Sequence, residues 1–536
     1  MGLFRVLLLI NFLFVLNDAR RSCAKQYYHQ KGDGDLLGDV AFGCICNATY
    51  CDDIEPLGAL QAEYFAAYIS SQSLNRMDRI DFYFTAFPNS STIAKVDASK
   101  TYQTIHGFGG AITDAVGINL LSLSQPVRDT LMKQYYGPTG IDYRITRVPM
   151  ASCDFSTREY SYSEVANDFE LAHFNLTQED YLYKIPFIKQ AQDLVKQNGG
   201  DLKLFTTAWS APGWMKKSGK MQGGGEMLGE LSGPYYKTFA NYYLRFFEAY
   251  HNLGIDFWGV TPINEPSAGL VPNYRWQAMF MSAEMERDYI RDTLGPVLRG
   301  SNLTKNIKIM AGDDQRTMFV SESVLQSWPD IILADAAAAS FIDGFAVHWY
   351  DDWFILESEL AKSVSKHPEK FVLATEACTG YMPNEQNVLP GNWGRAEQYA
   401  LDIIEDLRSG LVGWVDWNIV LDQTGGPNWV NNTVDSPIIA NATVDNFLKQ
   451  PMFYALAHFS YFVKPGYQRV DLDLGTQEPG LDGVAFVSPD GKQRVLVLQN
   501  GTPLNITLSI QDTKRPTRFG NLLMPSHSIK TVVWNN

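Results

Sequence analysis

Basic charge is scarce in this chain. Lys and Arg number 44 against 59 Asp and Glu, which leaves a net charge of −15 and a pI near 5.0. No basic block occurs, so phosphate-backbone binding is excluded as a main activity. Near pH 5 the net charge approaches zero, and repulsion from an anionic membrane fades. Polar and low-complexity tracts are missing too. Only 19% of residues are charged, while 45% are hydrophobic and 13% aromatic, which excludes an intrinsically disordered protein. Long apolar runs are absent beyond the N-terminus. There, Arg5 precedes an apolar run over 6–16 broken only by Asn11, with Ala19 as a cleavage position. That run is too short to span a bilayer, and 1–22 reads as a signal peptide rather than an anchor.

Several chemical signatures are also lacking. The eight histidines show no His-Glu-x-x-His or comparable metal spacing, and there is no Gly-x-Ser-x-Gly elbow. The glycines of 106–110 lack the dinucleotide-binding pattern and read as a tight strand-to-loop turn. No metal or organic cofactor is expected. Cysteine is sparse, and four of the six crowd together as Cys23, Cys44, Cys46 and Cys51. Behind an export signal these read as disulfides, with a zinc knuckle as the alternative. Cys44 and Cys46 are too close to pair easily, which favours Cys23–Cys44 with Cys46–Cys51. Cys153 and Cys378 lie in apolar segments and read as buried free thiols. Eight Asn-x-Ser/Thr sequons, at Asn47, Asn89, Asn175, Asn302, Asn431, Asn441, Asn500 and Asn505, agree with passage through the secretory pathway.

What is present is a structural repeat. Eight short apolar runs end in polar or aromatic residues, at 104–111, 143–149, 202–209, 257–265, 307–313, 342–350, 371–377 and 411–418. Continuous rather than alternating hydrophobicity predicts strands covered on both faces. Segments between them, such as 235–252 and 393–409, have helical spacing. Eight such units predict an α/β fold, a (β/α)8 TIM barrel, in preference to a doubly wound sheet. Outside the barrel, alternation at 80–85 and short runs at 483–487, 494–499, 505–510 and 528–534 predict a β-sandwich, with Pro-Asp-Gly at 489–491 as a hairpin turn.

In such barrels the reactive groups gather at the C-terminal strand ends. Read in order, those ends supply Asp154, Trp209, Asn264 with Glu265, Asp313 with Asp314, His348 to Tyr350, Glu376, and Trp417 with Asn418. Carboxylates among Trp and Tyr fit a sugar, whose apolar ring faces stack on aromatics and whose hydroxyls need acceptors. Glycoside cleavage needs two carboxyl groups across one bond. Glu265 and Glu376 each close a run otherwise too apolar for a carboxylate. Asp154, Asp313 and Asp314 are expected to bind hydroxyls or orient neighbours, and His348 to be a packed, hydrogen-bonded barrel residue.

The segments Cys-Ile-Cys-Asn-Ala-Thr-Tyr-Cys-Asp at 44–52, Gly-Phe-Gly-Gly-Ala-Ile-Thr-Asp-Ala at 107–115 and Arg-Val-Pro-Met-Ala-Ser-Cys-Asp-Phe-Ser at 147–156 carry a resemblance. So do Asn-Glu-Pro-Ser-Ala-Gly-Leu at 264–270, Thr-Glu-Ala-Cys at 375–378, Gly-Gly-Pro-Asn-Trp-Val at 425–430 and Lys-Gln-Pro-Met-Phe-Tyr at 449–454. Together they resemble the lysosomal glucosylceramidase (acid β-glucosidase) family from Cys44 to the C-terminus. The resemblance implies a retaining exo-β-glucosidase that cleaves glucosylceramide to glucose and ceramide, with Glu265 as acid/base and Glu376 as nucleophile. It implies that Arg147, Asp154, Phe155, Trp209, Asn264, Tyr274, His348, Tyr350, Trp417 and Asn432 surround the glucose or the catalytic pair. It also supports the two sequential disulfides. It implies a small disulfide-containing β region of 23–57 plus about 419–450, a discontinuous sandwich of 58–103 plus about 464–536, and a barrel of 104–418 plus about 451–463.

Membrane glucosylceramide is then the expected partner, with anionic lipid and a saposin-type activator beside it, and the lysosome is the expected destination. Mouth loops around 274–280 and 381–393 are expected to meet the bilayer, and Trp276 and Tyr381 to affect aglycone preference. A related β-glycosidase acting on a glucosylsterol or soluble glucoside is the alternative enzyme. A silent glycan- or lipid-binding relative, and a structural glycoprotein, both leave the strand-end carboxylates without a purpose.

Overall fold

The computed structural model describes residues 21–29, 40–321, 326–475 and 479–536. The expected signal segment lies almost wholly outside these residues. No described helix is long and apolar enough to cross a membrane.

Eight parallel strands close a barrel. They are β1 (Gly107–Ala111), β2 (Ile145–Met150), β3 (Lys203–Ala208), β4 (Gly259–Val260), β5 (Lys308–Gln315), β6 (Gly344–His348), β7 (Phe371–Glu376) and β8 (Gly413–Asn418). All eight expected runs contain a strand. In the 257–265 run only two residues pair as strand. The strands are buried on both faces, which is why their sequences read as unbroken apolar runs. Ile145, Phe205, Met310, Leu373 and Val415 fill the barrel floor.

The glycines expected to form a turn at 106–110 belong instead to β1, apart from the residues preceding it. A Cβ on Gly109 would lie 1.9 Å from the Ile145 carbonyl oxygen, so β1 and β2 approach too closely for any side chain there. Glycine serves strand packing at this position rather than chain reversal. The helix Trp393–Ser409 coincides with the expected one, and Pro234–His251 lies one residue from its expectation.

Two further sheets flank the barrel, and each joins distant parts of the chain. A nine-stranded sheet unites Tyr64–Ser71, Asp78–Tyr83 and Ile93–Thr104 with six strands between Gln468 and Asn535. A bridge between Thr85 and Phe519 draws its ends together, and Phe65, Val96, Leu496, Leu508 and Trp534 pack between the resulting layers as a sandwich core. A five-stranded sheet joins Lys25–His29 and Val40–Cys46 to Asn446–Lys449, Ile438–Asn441 and Leu421–Asp422, just beyond β8. Cys23–Cys44 and Cys46–Cys51 are disulfide-bonded, while Cys153 and Cys378 are buried free thiols. Among the sequons, Asn500 is fully buried, and its amide donates to the Leu504 and Pro525 carbonyls at 2.8 Å, so it is closed to a glycan in the folded chain.

Candidate active site

Side chains alternate along β2, so Ile145 and Arg147 share the inward face. Ile145 lies in the apolar floor, and Arg147, fully buried, lies one layer higher. Its guanidinium ties three strand ends together. Nη1 donates to Glu376, and Nη2 donates to Asn264 Oδ1 at 2.7 Å and Asp313 Oδ2 at 2.8 Å.

Asp313 reaches this layer through a bulge. The β5–β6 register shifts between Gly312 and Asp314, and Asp313 has φ of 65°. The extra residue re-aims the carboxylate toward the barrel axis. There it accepts from Thr261 Oγ1 at 2.8 Å and Thr375 Oγ1 at 2.7 Å, and pairs with His348 Nε2 at 3.1 Å. Burial alone raises such a group, but Arg147 and His348 outweigh it and hold Asp313 well below the usual carboxylate range. For His348, burial disfavours the cation. The Glu376, Asp313 and Glu265 carboxylates around it prevail and push its pKa up to about 10.

Glu265 and Glu376 stand on this platform. Glu265 has φ of 42°, a left-handed backbone that a non-glycine residue adopts at a cost, and its N–H donates to the Asp313 carbonyl at 2.9 Å. Its Oε1 receives Gln315 Nε2 at 2.8 Å and faces His348 Nδ1 at 3.0 Å. Glu376 is held at both oxygens, Oε2 by Arg147 and Oε1 by the Tyr350 hydroxyl at 2.8 Å. Oxygens of the two carboxylates lie within 4.8 Å of one another. Burial pushes the Glu376 carboxyl up and the Glu265 charge adds to that, while Arg147, the His348 cation and the Tyr350 hydroxyl oppose it.

Above the pair is a cavity of about 240 Å³. Asp154, Phe155, Trp209, Asn264, Tyr274, Tyr350, Trp417 and Asn432, all singled out in the sequence, line it with the two glutamates. Trp209 and Trp417 stack at 5.3 Å between ring centroids, with Arg147 against both rings. Asp154 Oδ2 accepts from Asn432 at 2.9 Å and Asn428 at 3.1 Å. Arg147 and His348, expected around the glucose or the catalytic pair, do not line the cavity. They lie beneath it and act on the carboxylates, because the inward layer they occupy is sealed by the residues above. Asp313 lies beneath it as well. Asp314 is likewise absent from the lining, and its Oδ2 accepts the Ser267 N–H at 2.7 Å.

Gln315, Cys378 and Val434 line the cavity without having been singled out for it. Gln315 ends β5, one residue past Asp314, so reading one polar position further along that strand end would have found it. The side chain of Asn431 is exposed whereas that of Asn432 borders the cavity, so neighbouring positions of this loop separate the sequon from the site.

Buried acids also set how the fold responds to pH. Burial is the leading cause that pushes Asp154 to about 7, Asp314 to about 6, Glu286 to about 8 and Glu405 to about 7. Each binds more protons folded than unfolded between its ordinary value and its raised one. Its contribution to stability therefore falls as pH rises through that window. Burial lowers His106 to about 4 and His458 to about 3, and these two act oppositely, costing stability below about pH 6.5. The carboxyls are more numerous and extend past pH 7. The thermal midpoint is therefore expected to be several degrees higher at pH 5 than at pH 7.5. A midpoint that climbed with pH across this range, measured by scanning calorimetry, would contradict that balance.

Paired carboxylates at two barrel strand ends, beneath an aromatic-walled cavity, define a glycoside hydrolase of the (β/α)8 class. Comparison with known proteins agrees. Residues 105–463 match the glycosyl hydrolase family 30 TIM-barrel domain, and 466–532 match the family 30 beta sandwich domain. The chain belongs to glycosyl hydrolase family 30. It is 46% identical over 491 residues to the Caenorhabditis elegans protein named "Putative glucosylceramidase 4", covering 92% of this chain and 93% of that one. It is 39% identical over 493 residues to "Lysosomal acid glucosylceramidase" of Mus musculus, again covering 92% and 93%. Among solved structures, SrfJ from Salmonella typhimurium superimposes with a TM-score of 0.79 at 26% identity, over 88% of this chain and all of that one.

Proposed function

We propose that this chain is a retaining exo-β-glucosidase that hydrolyses β-glucosylceramide to glucose and ceramide in an acidic, lysosomal compartment. The observation that carries the reading is the separation of Glu265 and Glu376. One oxygen of each within 4.8 Å fits the roughly 5–5.5 Å between the carboxyl groups of a double displacement better than the roughly 6.5–9.5 Å of an inverting site. A cavity of about 240 Å³ walled by stacked tryptophans fits one sugar ring.

The hydrogen bonds divide the roles. Both Glu376 oxygens receive donors, which favours its anion as the nucleophile. On Glu265 the donors converge on Oε1, leaving Oε2 to carry the proton. In the first step Glu376 attacks the anomeric carbon, the bond to the ceramide oxygen breaks, and Glu265 transfers its proton to that oxygen. In the second step Glu265 takes a proton from water, the water oxygen bonds to the anomeric carbon, and Glu376 leaves as carboxylate. Arg147 occupies Asn264 Oδ1, so this side chain presents Nδ2 to the sugar 2-hydroxyl, a contact that strengthens in the transition state.

Gln315 is a positioning residue in this scheme. Its Oε1 accepts the Tyr350 N–H at 3.1 Å, which fixes the amide so that Nε2 points at Glu265. Gln315→Leu is expected to lower kcat by about 10–100-fold for a poorly acidic leaving alcohol and to spare a dinitrophenyl glucoside, whose departure needs no proton. Equal losses on both substrates, in steady-state assays, would remove Gln315 from this role.

The lipid half of the substrate requires contact with a membrane. In the segment 274–280, expected to dock, only Arg275 is exposed, and the remaining residues are half-buried or buried. Among the described residues, the large apolar side chains exposed at the strand-end loops are Val165, Leu270, Val271, Trp353, Phe354, Leu356 and Met382, of which Met382 falls in an expected docking loop. The test is glucose release from glucosylceramide in anionic vesicles at about pH 5, compared with neutral vesicles. Faster release in the anionic ones is expected. Hydrolysis of a soluble β-glucoside with none of glucosylceramide would keep the chemistry and replace the substrate, as in a glucosylsterol or soluble-glucoside enzyme.

A further inference from the structure

One buried acid beside the catalytic layer takes no part in the double displacement. Glu286 lies on the helix Ala283–Tyr289, between β4 and β5 in the chain, and is fully buried. Its Oε1 accepts the Gly312 N–H at 2.8 Å, and its Oε2 has no partner among the described residues.

Gly312 opens the bulge of β5. In the ladder with β6, Gly312 stands opposite Ala346 and Asp314 opposite Val347, so Asp313 has no opposite number. Gly312 has φ of 90° and Asp313 φ of 65°, two left-handed residues in succession. They turn the Gly312 N–H out of the strand ladder, where a helix side chain meets it instead of a neighbouring strand. A buried amide needs an acceptor, and without one the backbone is drawn toward a flatter strand that pairs it again. Flattening β5 would shift its pleat by one residue and turn Asp313 to the opposite face. Arg147, His348, Thr261 and Thr375 would then lose the carboxylate they share.

The surroundings of Glu286 suit an uncharged acceptor. The charges acting on it, Asp313 and Asp314, are both negative. On the helix Pro234–His251, the buried Tyr243 gives its hydroxyl to the Pro262 carbonyl. Arg287 pairs with Asp288, and Arg291 with Asp288, Asp292 and Asp335. Asp330, on the helix Trp328–Leu333 packed against that of Glu286, is taken up by Lys366 and His367. Burial, with the two aspartates behind it, pushes Glu286 up to about 8 against the pull of the Gly312 bond.

We propose that Glu286 is a positioning residue for the catalytic pair: by accepting the Gly312 N–H it holds the bulge that presents Asp313 to Arg147 and His348. It does not line the catalytic cavity and acts on the glutamates only through that layer. Its effect on catalysis rests on the glucosidase reading, whereas the pinning of the bulge does not.

The test compares Glu286→Leu and Glu286→Gln with the wild type in the full-length protein. Leucine removes the acceptor, and glutamine restores an acceptor oxygen that does not titrate. Rates on dinitrophenyl β-glucoside at pH 5 are expressed per active site, titrated to completion with a 2-fluoroglucoside, so that an unfolded fraction does not count. Glu286→Leu is expected to lower kcat by about 10²-fold, the effect of a misplacement of about 1 Å, with KM within about threefold because the cavity wall is intact. Glu286→Gln is expected to bring kcat back to within about twofold of the wild type. A leucine variant as fast as the wild type, or a glutamine variant as slow as the leucine one, would overturn the proposal.

Thermal midpoints supply a readout that needs no turnover. Glu286 holds its proton in the folded chain between its ordinary value and about 8, so its contribution to stability falls as pH rises through that window. From pH 5 to pH 8 the wild-type midpoint is expected to fall by about 1–3 °C more than that of Glu286→Gln, with Glu286→Leu below both at pH 5. Parallel falls in the wild type and Glu286→Gln would overturn the proposal. If the wild type hydrolysed no β-glucoside while the midpoints behaved as expected, the pinning would stand and the glucosidase reading would fall.

Discussion

Glu376→Gly is expected to lower kcat on any β-glucoside by about four orders of magnitude or more, because it removes the covalent route rather than a binding contact. Glu265→Ala is expected to differ in kind. Its loss should be large, about 10²–10⁴-fold, for poor leaving groups and small for acidic phenols. Azide separates the two variants further. In Glu376→Gly it occupies the space of the lost carboxylate and attacks the intact glycoside, giving the α-glucosyl azide. In Glu265→Ala it intercepts the glucosyl-enzyme, giving the β-anomer. Product stereochemistry by NMR thus tests both roles at once. A β-product from Glu376→Gly, or undiminished activity in either variant, would reverse or remove the assignment.

Arg147→Met is expected to cost about 3–5 kcal/mol of stability, because it leaves Asp313 charged and buried with one partner fewer. Neutralising Asp313 in the double variant Arg147→Met/Asp313→Asn should restore part of that loss. Denaturation of the four members of the cycle measures the coupling, and strict additivity would mean that the two groups do not interact. Activity should not recover with stability. Glu376 would still lack the cation that opposes the effect of its burial, so its carboxyl would rise further and the acid limb of the rate profile would move to higher pH.

The barrel was legible because its strands are buried on both faces, and that condition writes itself into local composition. The catalytic candidates were legible for a related reason. Glu265 and Glu376 are carboxylates ending apolar runs, and a barrel collects strand ends at one mouth. The layer beneath them was not legible in the same way. Asp313 receives side chains from β2, β6, β7 and the segment after β4 only because a bulge turns it inward, and a bulge has no signature in one strand read alone. Arg147 and His348 were found as residues around the glucose or the catalytic pair, but which of the two they serve was not legible, since sequence order gives the strand and not the depth within it. The buried strand Tyr64–Ser71 was not singled out, because its neighbours, Asp78–Tyr83 on one side and Ser528–Asn535 on the other, define it more than its own pattern does.

That last pairing has a consequence for synthesis. Among the described residues, the hairpin of Tyr64–Ser71 with Asp78–Tyr83 is joined to the strand ladder of its sheet through Ser528–Asn535, a strand made roughly 450 residues later, or about 20–90 s at the usual pace of translation. Lys25–His29 and Val40–Cys46 likewise wait for Asn446–Lys449. During that interval both early segments carry open, apolar strand edges, so the growing chain depends on holding them apart from other copies until the barrel between has been made. A premature stop that spared the whole barrel but removed Ser528–Asn535 would still strand the hairpin and leave Trp534, at the centre of the sandwich core, unmade.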